Sequence, residues 1–513
     1  MPAAEEAATT RFGGIDVVVA NAGIEQFATV LRMRVAHYGV GVGVAHMALV
    51  DTPMLRATTR RRAPMGGRCA VVGTSAQWRT MTDTVATTTA RNHSMDLYRV
   101  VALLFVVVGH WMAASLTYSD GGFWRDNPLV DLPWTQWLTW IFQVVPVFFV
   151  VAGYASAVSW AHRSGAESRQ EWLRRRLVRP IGPTAVYVVF ALVVVAVLRG
   201  VRVAGSELDF GAWAVAMHLW FLGIYVLVVA LTPIAVAAHR RWGLWVPVVM
   251  TVAIAAIDVA TIGAHLQYIG WLNYLLVWGL LYQLGIAWHG GKLRGWVPIA
   301  LAICSAIVLM LLVTVGPYPV CMIGVPGAVV DNTGPPNLAL LALGCTEAGI
   351  ALAAVPVVNR LLKSARAQRI LAVANDNVMA LYLWHMVPVV IVALAGYPTG
   401  LLPQPTLGTA AWWWFRLGWV AILTVVAGAE LALLWWGRRL FSASLPTVAV
   451  SIPAWFGEAF LLAGTVGIAV TMTVFATLGF APDGRFPVAA SIGFAVGVTL
   501  VALAPTGRRR HRA

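Results

Sequence analysis

Apolar residues in this chain fall into long, nearly uninterrupted blocks, without the alternation of a half-buried strand or the one-sided stripe of a surface helix. From Leu97 onward the blocks cover 97–118, 137–160, 181–198, 213–238, 243–262 and 271–288, then 296–316, 337–358, 378–397, 415–437, 455–480 and 486–505. Most come close to the roughly 20 residues that a helix needs to cross a hydrocarbon core. The pattern predicts an all-α polytopic membrane protein of about twelve transmembrane helices. Ten form a first bundle within 91–440, and two extra helices in 441–513 follow the polar break at Ser442 to Ser451 and look like an appendage.

Charge between the blocks tests this division. Alternate gaps carry Arg163 to Arg179, Arg240 with Arg241, Lys292 with Arg294, Arg360 to Arg369, Arg438 with Arg439, and the tail Arg508 to Arg512. The opposite gaps hold only Arg125, Arg199, Arg202 and Arg485, mostly near an acidic residue. Short basic loops stay on the cytoplasmic side, so both termini are expected in the cytoplasm, with an even number of spans. Residues 1–90 hold no spanning block and read as a cytoplasmic N-terminal segment.

Composition agrees. Of 513 residues 59% are hydrophobic and 11% charged, whereas a soluble domain carries roughly a quarter charged residues. The formal charge of +15 lies between apolar blocks, where it sets topology; the expected partner is the bilayer and not nucleic acid. Cys69, Cys304, Cys321 and Cys345 form no CxxC and no metal-like spacing, so no metal is expected. Lys292 and Lys363 are the lysines and every other basic residue is Arg, a usage typical of a GC-rich bacterial genome.

An ionisable group within a membrane helix is costly and marks a functional candidate. The first block holds Asp96, Arg99 and His110. Arg99 and His110 share a helix face, roughly 16 Å apart along the axis, and Asp96 can pair with Arg99 one turn away. Asp258, Glu347 and Glu430 also fall in apolar blocks, as candidates for an acceptor cavity. Trp111, Trp134 and Trp412 to Trp414 read as interfacial belts. The polar loop from Gly316 to Asn337, rich in Pro and Gly, either lines an acceptor site or caps the bundle.

The segment Met95-Asp96-Leu97-Tyr98-Arg99, followed by His110, resembles the first span of the acyltransferase-3 family of bacterial membrane O-acyltransferases. Further resemblances follow in order: Phe148-Phe149-Val150-Val151-Ala152-Gly153, where Ala152 replaces the usual Ser; Arg176 and Arg179 in a basic Arg-x-x-Arg loop; His218-Leu219-Trp220-Phe221-Leu222; and Leu381-Tyr382-Leu383-Trp384-His385. The resemblance runs from about Asn92 to Arg439. It implies transfer of an acyl group, most often acetyl, from cytoplasmic acyl-CoA (a co-substrate; no bound cofactor is expected) to a hydroxyl of a cell-envelope glycan or glycolipid. It implies a place in the bacterial inner membrane. His110 then serves as general base or acyl carrier. Arg99 binds phosphate or steadies an oxyanion, and Arg176 and Arg179 meet the phosphates of CoA. A thioester arm threading from Arg99 up to His110 would join the two. His218 and His385 are expected first as packing residues beside the site, with Asp96 and Glu347 as further candidates on the acceptor side. For Arg176 and Arg179 a purely topological role fits equally well.

Within the first ninety residues, Gly14 to Gly23, with its Asn21-Ala22-Gly23 turn, and Tyr38 to Met54 resemble short-chain dehydrogenases over about forty residues. The Gly-rich dinucleotide turn and the Tyr-xxx-Lys pair are missing, so the segment reads as a degenerate remnant without activity. The competing class for the whole chain is a twelve-helix transporter or a lipid or glycan exporter, which predicts two similar halves and a long central loop. The central loop here, His289 to Gly295, is short.

Overall fold

A computed structural model describes residues 92–165, 167–324 and 330–505. The dehydrogenase-like stretch and the tail Arg508 to Arg512 lie outside them. The helices that position the site are α1 (His93–Ala113), α2 (Val145–Ala161), α3 (Arg169–Gly200), α4 (Gly205–Ala214), α5 (Leu219–Ala230), α6 (Thr232–Trp242), α7 (Trp245–Asp258), α8 (Leu272–His289), α9 (Val297–Thr314), α10 (Leu338–Leu361), α11 (Ala365–Trp384), α12 (Val387–Gly396), α13 (Ala410–Trp436), α14 (Ala454–Leu478) and α15 (Val488–Ala502).

The protein is an all-α polytopic membrane protein. Among the described residues, 9 helices are long and apolar enough to cross a membrane, and 11 if two bent pairs, α4 with α5 and α11 with α12, each count as one span. The shorter apolar helix α15 takes the remaining place in the sequence-predicted order.

Two boundaries depart from the sequence reading. The first block was expected to run to 118, but α1 stops at Ala113 and the chain turns into a hairpin of β1 (Leu116–Ser119) and β2 (Gly122–Arg125). Its turn is Asp120-Gly121, with φ of 52° and 77°, the pairing that a two-residue turn with two left-handed residues favours. The third span starts well before 181: α3 begins at Arg169, where Ser168 and Glu171 form a capping box. Arg176 and Arg179 therefore lie on a helix and not in a loop. The Trp belt also divides, since Trp134 and Trp414 are exposed while Trp111 and Trp412 are buried.

Close approach of α2 and α8 fixes the middle of the bundle. A Cβ on Gly153 would fall 1.9 Å from the Tyr282 carbonyl oxygen, and one on Gly285 would fall 2.0 Å from that of Val150. This is small-residue packing, which lets two membrane helices touch backbone to backbone where apolar area alone supplies no drive. Opposite it, α9 shows the lipid a face of Ile299, Ile303, Ile307 and Leu311.

Candidate active site

Two spans are broken near the centre of the bundle, and a histidine stands at each break. The α11–α12 pair bends by 53° and the α4–α5 pair by 40°. His385 caps the end of α11, and Pro388 follows in the first turn of α12. Proline has no N–H to continue the ladder and clashes with the preceding turn, so the helix must break there. His218 stands at the start of α5. Backbone freed inside a membrane needs partners, and the two breaks supply them to each other. The Tyr382 hydroxyl donates to the His218 carbonyl at 2.6 Å. Trp111 on α1 donates its indole N–H to the His385 carbonyl at 2.7 Å.

His385 Nδ1 lies 2.8 Å from the Tyr382 carbonyl, and His385 Nε2 lies 2.9 Å from His110 Nδ1. A carbonyl only accepts, so Nδ1 of His385 carries the proton and its Nε2 accepts from the Nδ1–H of His110. That tautomer leaves Nε2 of His110 unprotonated, with a lone pair available to a substrate. The rings of His110 and His385 are stacked with centroids 5.1 Å apart. The His218 ring lies 5.0 Å from that of His385, and neither of its nitrogens has a hydrogen-bond partner although it is buried. A buried polar group without a partner is uncommon and calls for an explanation. Among the described residues, no group of three or more His, Cys, Asp or Glu side chains is placed to hold a metal ion.

His110, His218 and Tyr382 line a cavity of about 790 Å³, and His385 sits behind them, outside its lining. The cavity runs from the histidines to the end of the bundle opposite the basic clusters. There it meets Asp126 and Asn127 after the hairpin, and Ile323, Gly324, Thr333 and Gly334 of the loop between α9 and α10. That loop therefore lines the cavity. Asp258 anchors it, accepting from the Tyr318 hydroxyl, the Leu338 amide and Asn273, each at 2.8 Å. Burial, with the Asp258 carboxylate beside it, pushes the Tyr318 phenol above its ordinary pKa, which keeps it a donor. Trp213, Trp220, Trp271, Trp412 and Trp413 also line the cavity.

The other sequence-predicted residues lie elsewhere. Arg99 donates to Asn375 on α11 at 2.9 Å and stands 4.0 Å from Asp96. It does not line the cavity. The pairs Arg99 with Asn375 and His110 with His385 clamp α1 and α11 side by side at two depths. Arg176 donates to Ser156 at 2.9 Å, and Arg179 is exposed. Glu347 on α10 has a buried carboxylate oxygen without a hydrogen-bond partner, away from the cavity lining.

Sequence reasoning missed Asn375, Trp111, Asp126 and Arg416. Asp126 accepts from Thr117 at 2.7 Å and from Ser115 at 3.3 Å. Arg416 on α13 is 1% exposed and donates to the Ala114 carbonyl at 2.8 Å, just past the end of α1. Trp412, Phe415 and Trp419 surround its guanidinium at 5.4 to 5.5 Å. A charged residue inside an apolar block was the signal available for Arg416; nothing local marks the other three.

A membrane bundle with a histidine that faces a cavity and is paired with a second one behind it has the parts needed for proton transfer from a hydroxyl. Residues 92–436 match the acyltransferase-3 family, described as an acyltransferase domain. The match covers more than half of the chain, and the chain belongs to that family. No curated protein matches it, and no solved structure does.

Proposed function

We infer that this membrane acyltransferase moves an acyl group from cytoplasmic acyl-CoA, acetyl-CoA first among the candidates, to a hydroxyl of a cell-envelope glycan or glycolipid. The observation that carries the reading is the 2.9 Å contact between His110 and His385 at the inner end of the cavity. Nε2 of His110 takes the proton of the acceptor hydroxyl as its oxygen attacks the thioester carbonyl. The positive charge that forms on the imidazole is shared through Nδ1–H with His385, whose own N–H rests on the Tyr382 carbonyl. The C–S bond then breaks, and the CoA thiolate leaves with the proton that His110 received. His218, whose ring makes no hydrogen bond of normal length beside this pair, donates to the oxyanion that develops between the two steps.

The acceptor enters from the end opposite the basic clusters. Indole faces suit the C–H faces of a sugar ring, and Asp126, Asn127 and Gln143 offer partners for its hydroxyls. The basic clusters face the cytoplasm under the positive-inside rule, which puts both termini there and places the protein in the bacterial inner membrane. Arg176 and Arg179, on the first turns of α3 at that end, meet the CoA phosphates. Arg99 lies between them and the histidines, and a thioester arm passes it on the way to His110. Asp96 holds Arg99 in place.

The test is label from acetyl-CoA, presented to membranes with and without the protein, with lipid and glycan fractions separated. Label entering one fraction only when the protein is present supports the reading and gives the acceptor class. No protein-dependent label from acetyl-, succinyl- or longer acyl-CoA in any fraction overturns it.

A further inference from the structure

Of the two helices beyond the family segment, α14 is built into the cavity wall, and α15 packs against it. Helix α14 runs antiparallel along the broken span α4–α5. A Cβ on Gly223 would meet the Ala469 carbonyl oxygen at 3.0 Å, and the Phe480 amide reaches the Ala212 carbonyl at 3.4 Å. Both contacts keep one register, which sets His218 level with Val474. The neighbouring Thr473, and Ala476 and Thr477 one turn further out, line the same cavity as His110 and His218. Behind this wall, Phe475 and Phe480 are fully buried with ring centroids 4.9 Å apart. Phe480 leans on Tyr187 at 6.3 Å, and Tyr187 on the His218 ring at 5.8 Å.

The pair is also fastened at both ends. Near the cavity mouth the Asp483 amide donates to the Asp209 carboxylate at 3.2 Å. At the basic end Arg169 pairs with Glu458, and Arg174 donates to the Val501 carbonyl. There β3 (Val448–Val450) pairs in parallel with β4 (Leu503–Pro505). Leu461, Ile468 and Met472 are fully buried. A loosely attached helix would bury no such row and would have no reason to present its small residues to a cavity.

We propose that α14, backed by α15, forms the selectivity wall of the acceptor cavity, with Thr473 and Ala476 as the residues that set how large a glycan fits beside His110. The inference rests on the acyltransferase reading given above. Side chains of Thr and Ala leave room where larger ones would close the space level with the histidines. The Thr473 hydroxyl is turned back on the Ala469 carbonyl at 3.0 Å, so it offers a substrate bulk and little polarity.

Two arms test this in full-length protein in membranes. In the first, Thr473→Cys and Ala476→Cys are exposed to a charged methanethiosulfonate, with Val470→Cys on the lipid face as control. The two cavity positions are expected to label above the wild-type background and to be protected by an alkyl disaccharide, while Val470→Cys stays unlabelled. In the second, acetyl transfer is measured to alkyl glycosides of one, two and three sugar units. Ala476→Trp is expected to lower transfer to the longer probes about tenfold more than transfer to the shortest, and Val470→Trp to leave that ratio as it is. Cavity positions that label no better than Val470→Cys, or an Ala476→Trp ratio equal to wild type, overturn the proposal. If wild type transfers to none of the probes, it is the acyltransferase reading that has failed on these acceptors, and the labelling arm still decides whether α14 walls the cavity.

Discussion

The broken spans and the unbroken α9 divide the work of this molecule. Helix α9 is unbroken, predominantly apolar and mostly turned to lipid, with 11% of its spanning window buried. The α4–α5 and α11–α12 pairs are interrupted mid-membrane, and each interruption carries a histidine that meets the other. A continuous helix satisfies its own backbone and asks nothing of its neighbours. A broken one exposes carbonyls that must be answered from outside, and here Tyr382 and Trp111 answer them. The same bonds that make the breaks tolerable orient the imidazoles. The candidate site sits where the backbone depends on side chains.

That contrast can be broken or sharpened by substitution. The largest effect belongs to His110→Ala, which removes the base and is expected to lower the transfer rate by about 10²- to 10⁴-fold, measured with labelled acetyl-CoA at equal membrane insertion. His385→Ala leaves His110 in the cavity but frees its tautomer; a loss on the order of 10²-fold in rate is expected, with acyl-CoA binding retained. If both variants keep wild-type rates, the breaks are only packing devices. Tyr382→Phe takes one donor from the His218 carbonyl and should cost about 1 kcal/mol of stability, read from thermal unfolding in detergent, along with a smaller drop in rate. Ile303→Ala on the lipid face of α9 should change stability by no more than about 0.5 kcal/mol and leave the rate alone. A large loss there would mean that α9 is more than scaffold.

Most of the architecture was legible because a membrane span is a local property: twenty apolar residues declare themselves without reference to the rest of the chain. Local signals also existed for the features that the block reading overran. Asp120-Gly121 marks a hairpin turn, and Ser168 with Glu171 is a capping box that carries α3 back through the basic cluster. Both were masked by the apolar or basic residues around them. Of the site candidates, His110 and Arg99 were singled out by their shared helix face and by the family resemblance, and His110 alone of the two lines the cavity. Their partners were not, because Asn375 and His385 come from a helix more than 270 positions away. His385 was weighed as a packing residue, and its bond to His110 exists only once α1 and α11 lie side by side. Trp111 looked like a belt residue for the same reason: a Trp near a helix end faces the interface unless a carbonyl at a break is there to receive its N–H. The last two helices read as an appendage because they hold few ionisable groups, yet α14 turns Thr473, Ala476 and Thr477 toward the cavity, which composition does not reveal.

The central claim is that the His110 imidazole takes the acceptor's proton. Transfer of labelled acetyl by His110→Ala membranes, with and without added free imidazole, tests it most directly. The cavity opens away from the basic end, so a small base can reach the vacated place. The account predicts transfer that is lost in the variant and partly restored as imidazole is raised, with insertion and acyl-CoA binding unchanged throughout. A correctly inserted His110→Ala protein that transfers at the wild-type rate, or one whose lost rate does not respond to imidazole, contradicts it.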